Sequence, residues 1–427
     1  MIRTRFKQIV DDCFVAGVQA GQWSAAAAEK YTVEVPKHEH QGDFSTNIAL
    51  VLAGIEKKNP RQIAALVADR LAQQEELIDR VEIAGPGFVN VVIKDSVWQQ
   101  LLIEIERRHK SFGVSEVGGH RRVMVEFVSA NPTGPLSIGH GRQAILGDGI
   151  ARLLEATGHD VYREYYYNDA GRQMRVLGES ARARYLELLG KEHEFPEDGY
   201  QGEYIYDIAR KLIGSRGQSL IDCDSVEPFQ KAAEKTIFED ISATLARMGI
   251  IFDNYYNEQS LYEQGHVDSV VKELTDRGLV YEKDGATWFK TTELGQEKDR
   301  VIIKSSGEPT YRLPDIAYHR EKFKRDFDWL IDIFGSDHIA TVPDVKAGVE
   351  ALGYDASKIT VIVHQFVTLM RAGNQVSMST RIASLISVEE LLEEGGVGAG
   401  GVFFVWRGPE GELGVGLVGG SVVGGVS

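Results

Sequence analysis

Residues 126–149 read EFVSANPTGPLSIGHGRQAILGDG. The stretch 123–128 that leads into them has the apolar composition of a short strand. Pro132, Gly134 and Pro135 then impose a turn, which delivers Gly139-His140-Gly141 to the start of a helix. A helix N-terminus carries unpaired N–H groups and a partial positive charge, so it suits a phosphate. Gly139 and Gly141 lack the Cβ atoms that would hold a nucleotide off the backbone, and His140 adds a donor at the same spot. No Gly-Lys-Ser/Thr of a P-loop follows, so the stretch reads as an ATP site for adenylyl rather than phosphoryl transfer. The competing reading is an ordinary strand–turn–helix with a structural histidine.

Outward from this stretch, strands alternate with helices, the mark of a parallel sheet. Strands are expected at 123–128, 161–166, 300–304, 329–334 and 359–363, and helices at 142–156, 171–189, 314–325 and 343–352. Gly158 is placed to close the first of these helices. Helices near 203–213 and 228–248 read as an insertion, and Asp284-Gly285 as a hairpin turn. An open sheet of this kind binds ligands beyond the carboxyl ends of its strands, where the glycine turn sits. Residues 1–112 read as a separate small α+β domain, with helices at 2–20, 60–73 and 97–109 and strands near 81–83 and 88–93. A Gly-rich joint at 113–119 follows. The fold class is therefore α/β: a Rossmann-like parallel-sheet catalytic domain (118–394) with helical insertions, preceded by the small α+β domain.

Composition sets the outer bounds. The chain has 427 residues, 43% of them apolar and 26% charged, as in a soluble globular protein. No apolar run approaches the ~18–20 residues that a membrane span needs. The start, MIRTRFKQIVDDCF, places acids where a signal peptide needs an apolar core. Cys13 and Cys223 fit a reducing cytoplasm and give no disulfide or metal framework. The net charge of −16 argues against non-specific nucleic-acid binding by the chain as a whole.

Residues 130–140, ANPTGPLSIGH, resemble the HIGH signature of class I aminoacyl-tRNA synthetases, and the flanking SANPTGP and GHGR resemble that of the arginyl-tRNA synthetases. The strings YYYNDAGRQM (165–174), TYRLPDIAYHR (310–320) and FGSDHIATV (334–342) are similar to the same family, as are GDFSTNIAL (42–50) and IAGPGFVNV (83–91) in the first domain. The resemblance implies ligation of L-arginine to tRNA(Arg) with ATP and its Mg2+, by a cytoplasmic, monomeric enzyme that binds no metal of its own. It implies that the first domain touches the outer corner of the tRNA. Glu126, Ser129, Asn131, Asn168, Tyr311 and Asp315 are expected at the arginine site, where carboxylates match a guanidinium. Ala130, Pro132, Thr133, Gly134, Pro135, Leu136, Ile138, Gly139, Gly141, Asp337, His338, Met378 and Ser379 are expected around ATP, with His140, Ser137 and Arg381 as catalytic groups. Asn168 and Asp169 also read as caps of the following helix.

In that family a mobile KMSKS loop stabilises the charge that grows on pyrophosphate. The matching segment, GNQVSMSTR (373–381), keeps Met378 and Ser379 but has Ser377 and Thr380 in place of the lysines, leaving Arg381 as its cation. Ser137 likewise replaces the first histidine of HIGH. The tail 395–427 holds 13 Gly and 8 Val, and its departures from the family helix all run toward codons richer in G. That direction points to a sequencing artefact in a degraded start of the anticodon-binding domain; the alternative is a genuine Gly/Val-rich tail. Poor packing is expected beyond Trp406. Two other functions stay open: a non-catalytic paralogue that binds arginine, and a small-molecule adenylyltransferase whose pyrophosphate exchange would ignore arginine.

Overall fold

A computed structural model describes residues 1–365, 367–371, 374–375, 387–396, 413–418 and 421–425. The chain divides into two compact units, Met1–Gly113 and Val114–Ser427.

The first unit runs α1 (Ile2–Gln19), β1 (Val33–Glu34), β2 (Phe44–Thr46), α2 (Ile48–Glu56), α3 (Pro60–Leu71), β3 (Ile78–Ala84), β4 (Phe88–Ile93) and α4 (Asp95–Arg108). Its strands form one antiparallel sheet in the order β1-β2-β4-β3. Asn59 caps α3 by accepting from the Arg61 N–H, and Pro60 fills the first helical position, where no N–H is needed. Phe6, Val10, Ile48, Leu52, Val67, Leu71, Val89 and Val91 form its core. The string GDFSTNIAL becomes β2 and the start of α2, elements too short for periodicity to reveal.

The second unit is built on a five-stranded sheet. Its elements begin with β5 (Arg122–Glu126), α5 (Ile138–Ala156), β6 (Asp160–Tyr167), α6 (Gly171–Leu188), α7 (Glu203–Arg216), α8 (Glu227–Arg247) and β7 (Asn254–Asn257). Next come α9 (Gln259–Glu263), α10 (His266–Asp276), the antiparallel set β8 (Val280–Lys283), β9 (Ala286–Phe289) and β10 (Arg300–Ile303), then α11 (Arg312–Lys324). The chain continues through β11 (Trp329–Gly335), α12 (Val342–Ala351), β12 (Ile359–His364), β13 (Val367–Arg371), β14 (Asn374–Gln375), α13 (Val388–Gly395), β15 (Leu413–Val418) and β16 (Ser421–Gly425). The main sheet is wholly parallel, in the order β12-β11-β5-β6-β7. Strand order therefore reverses at β5, which places the ligand crevice at its carboxyl end.

Val123, Met124 and Val125 are fully buried, as a central parallel strand requires. Gly147 lets α5 lie against β5: a Cβ there would stand 2.2 Å from the Phe127 ring. Asp284 and Gly285 both have positive φ, as a two-residue hairpin turn demands. Among the described residues no helix is long and apolar enough to cross a membrane.

Strand β7, at the edge of the parallel sheet, has no counterpart among the expected strands, and the structure departs from expectation in four further places. Strand β10 does not join the parallel sheet but pairs antiparallel with β9. Helix α5 starts at Ile138 rather than 142, so the glycine turn is itself the first helical turn. Neither Asn168 nor Asp169 caps α6: its N-cap is Ala170, and the Asn168 side chain closes a local turn by accepting from the Ala170 N–H at 2.8 Å. Two tail segments, β15 and β16, are strands, β15 running parallel to β13. The side-chain packing beyond Trp406 lies outside the described residues.

Candidate active site at the strand ends

The backbone turns abruptly after β5. Val128 (φ 68°) and Ser129 (φ 45°) both take left-handed conformations. For β-branched Val128 this is a true outlier, costing about 1–3 kcal/mol. The bend brings the Ser129 hydroxyl back to donate to Glu126 Oε1 at 3.1 Å, while Ser129 Oγ accepts from the Tyr166 N–H at 3.1 Å.

Ser137 is the N-cap of α5, and its Oγ accepts from the His140 N–H at 3.4 Å. In return the Ser137 N–H lies 3.2 Å from His140 Nδ1. An N–H can only donate, so Nδ1 is the acceptor, and the neutral ring carries its proton on Nε2. A Cβ on Gly139 would meet only Ser137 Oγ, at 3.6 Å, so the backbone there is open to a ligand. Ala130, Pro132, Gly134, Leu136, Ile138 and Gly141 are buried, so they offer a nucleotide main-chain shape rather than side chains. Thr133 and Pro135 are half-buried, and the Thr133 carbonyl accepts from Tyr204 OH at 2.8 Å. The start of α13 holds the same turn: the Val388 N–H donates to the Leu136 carbonyl at 2.8 Å, and Ser137 bridges Ser387.

Hydrogen bonds tie the ends of β5, β6 and β7 together. Asn131 Oδ1 accepts from the Asn168 N–H at 2.9 Å. Asn168 Nδ2 donates to Glu258 Oε1 at 2.8 Å, and Tyr166 OH donates to Glu258 Oε2 at 2.7 Å. Burial raises the Glu258 carboxyl, against the lowering effect of these two bonds, and the Asp169 charge adds to the rise. Asp315, in the first turn of α11, is pushed up to about 7, first by burial and then by the charges of Glu258 and Glu126, with His319 and Lys322 opposing. Among the described residues neither Asp315 nor Glu258 has an ion-pair partner.

Glu258 is the member of this hydrogen-bonded cluster that sequence reading missed. It follows the end of β7, where a parallel sheet presents its functional groups, but β7 was itself not expected from the sequence. Tyr311 lies one helical turn before Asp315, whose N–H donates to the Tyr311 carbonyl at 3.3 Å. Its side chain is 83% exposed and stands outside the bonded group. Asp337 and His338 fall in the 3-10 turn Ser336–Thr341, directly after β11. Ser377, Met378, Ser379, Thr380 and Arg381 lie outside the described residues.

Comparison with known proteins gives a consistent result. A family described as class I tRNA synthetases (R), catalytic domain, matches residues 103–399, and an arginyl tRNA synthetase N terminal domain matches residues 1–93. An arginine–tRNA ligase of Desulfotalea psychrophila is 68% identical over 97% of this chain and 75% of its own length. That of Salinibacter ruber is 48% identical over 89% and 71%. A solved arginyl-tRNA synthetase structure from Campylobacter jejuni superposes with a TM-score of 0.69 at 31% identity, covering 76% of this chain and 71% of that one.

Proposed function

The chain belongs to the class I arginyl-tRNA synthetase family, and from that premise we propose how its residues serve arginine–tRNA ligation. The carboxylate of L-arginine attacks the α-phosphorus of ATP, forming arginyl-adenylate and releasing pyrophosphate. A terminal ribose hydroxyl of tRNA(Arg) then takes the arginyl group and AMP leaves. No side chain forms a covalent bond, so catalysis rests on positioning and on stabilising charge.

The phosphates lie at the N-terminus of α5, against Gly139 and His140, with Mg2+ carried on the triphosphate. The arginine carboxylate must therefore approach from the β5 side. That places the amino-acid head near Glu126, Ser129 and Asn131, and sends the side chain toward Asp315, Glu258 and Asn168. Tyr311, one turn before Asp315, covers the guanidinium. A guanidinium offers donors in a fixed fork, and two carboxylates without an ion-pair partner among the described residues are the matching acceptors. Asp337, His338, Met378, Ser379 and Arg381 complete the nucleotide side in this reading, and residues 1–112 contact the tRNA. The enzyme works in the cytoplasm as a monomer.

One observation carries the proposal: at the carboxyl ends of a parallel sheet whose order reverses at β5, Asp315 and Glu258 have no ion-pair partner among the described residues, and Glu258 is tied to the end of β5 through Asn168 and Asn131. The test is ATP–pyrophosphate exchange, with and without tRNA(Arg). Exchange that needs arginine and rejects its neutral isostere citrulline is the expected result. Exchange indifferent to arginine overturns it. Arginine binding without any ATP turnover would favour the non-catalytic reading, which the replacement of both loop lysines by Ser377 and Thr380 supports.

A further inference from the structure

Three acids lie side by side across the main sheet. In the register of the parallel strands Asp332 on β11 is opposite Glu126 on β5, and Glu126 is opposite Glu164 on β6. Residues paired in this way share one face of the sheet, where like charges repel. Helix α11 answers the row with His319 and Lys322, spaced three apart, and Arg325 at its C-cap, three further on. Lys322 Nζ lies 2.5 Å from Glu126 Oε2 and 2.6 Å from Asp332 Oδ1, with its side chain fully buried. Arg325 holds both Glu164 oxygens, at 3.0 and 2.6 Å. His319 Nε2 is 2.9 Å from Asp332 Oδ2, while its Nδ1 lies 2.8 Å from the carbonyl of Asp315.

We propose that Lys322 is a positioning residue for the arginine site, the pin that registers α11, and with it Asp315, against Glu126 on the sheet. Asp315 and Lys322 are seven residues apart, on one face of the same helix. A sliding α11 would have to part Lys322 from two carboxylates at once. Lys322 also occupies Glu126 Oε2, so this carboxylate turns its Oε1 edge, already met by Ser129, toward the strand end. Arginine thus meets two acids whose separation is fixed by a third group that it never touches. This inference rests on the arginine-ligase reading above.

Replacing Lys322 alone leaves two adjacent buried carboxylates, so the informative protein is the double variant Lys322→Met/Asp332→Asn, which removes one charge of each sign. Circular dichroism checks its fold, and titration calorimetry measures binding of L-arginine and, separately, of ATP. The expected result is a folded protein with arginine binding weakened at least tenfold, ATP binding within twofold of wild type, and most arginine affinity kept by Lys322→Arg. Wild-type arginine affinity in the folded double variant overturns the inference, as does a parallel loss of ATP affinity. If the wild-type chain binds ATP but no arginine, the functional reading fails first and takes the inference with it.

Discussion

The acids of the sheet face and the acids of the strand-end cluster are both withdrawn from water, yet they are treated in opposite ways. Glu164 is fully buried and takes a two-pronged Arg325, the Tyr318 hydroxyl at 3.1 Å and Asn254 at 3.1 Å. Asp332 is held well below the usual carboxylate range because Lys322 and His319 outweigh its burial. Asp315 and Glu258 receive no such cation among the described residues, and their carboxyls move up. A buried acid with its cation is architecture; a buried acid without one is a place left for a cation that arrives from solution. The difference is sharper than burial or charge alone, and in the function proposed above arginine brings the missing charge.

The largest test strikes the satisfied set. Glu164→Gln leaves the Arg325 charge without its partner in the protein, and breaking a buried pair from one side costs about 3–5 kcal/mol. Urea unfolding at pH 7.5 should show a loss of that size. A loss under about 1 kcal/mol would mean that the pair behaves like a surface contact, and the contrast with the strand-end acids would collapse.

Asp315→Asn should do the reverse. Its acid has no ion-pair partner among the described residues and its burial outweighs the pull of His319 and Lys322, so neutralising it should raise the melting temperature of the ligand-free protein above pH 7. Arginine affinity should fall about a hundredfold, roughly 2.7 kcal/mol. Lower stability together with lower affinity would show that Asp315 belongs with the architectural acids.

The same acid sets a pH dependence. The folded carboxyl keeps its proton to about pH 7, whereas an unfolded aspartate has lost it by roughly pH 4–5. The folded state therefore binds more protons in that window, and ligand-free stability falls as pH rises through it. Arginine needs the ionised form, so its affinity should be about tenfold weaker at pH 6 than at pH 8, some 1.4 kcal/mol. Calorimetry across this range decides it; a flat profile would remove Asp315 from the contact.

Much of this was legible from residues alone, and the limits are physical. The order of strands and helices followed from apolar periodicity except at β7 and β10, and the glycine turn at 139–141 was placed at a strand end before any coordinates. Hairpin strand β10 was misassigned because a short apolar run carries no record of which strand it pairs with. The acidic row was invisible for a related reason: Glu126, Glu164 and Asp332 are scattered along the chain, and only the register across three strands makes them neighbours. Lys322 could have been found, because it sits seven residues beyond Asp315 and so shares its helical face. Glu258 is 90 residues from its partner Asn168, and nothing local announces that the two meet.

The smallest effect probes the boundary between the two kinds of group. Ser137 is satisfied, in that it caps α5 and exchanges bonds with His140, but the cap bond is long at 3.4 Å. Ser137→Ala should therefore cost only about 0.5–1 kcal/mol of stability, the lower part of the range for a lost N-cap. The His140 ring keeps its bond from the residue-137 N–H but loses the Oγ contact at 3.2 Å that steadies it. If the ring belongs to the ligand side of the comparison, ATP affinity should drop a few-fold while arginine affinity holds, both read by calorimetry. If the ring is architectural, melting temperature should fall by more than the cap alone explains and ATP binding should not change. A serine in this position then means that the helix start is kept by a cap, while contact with the phosphates is left to His140 and the open backbone at Gly139.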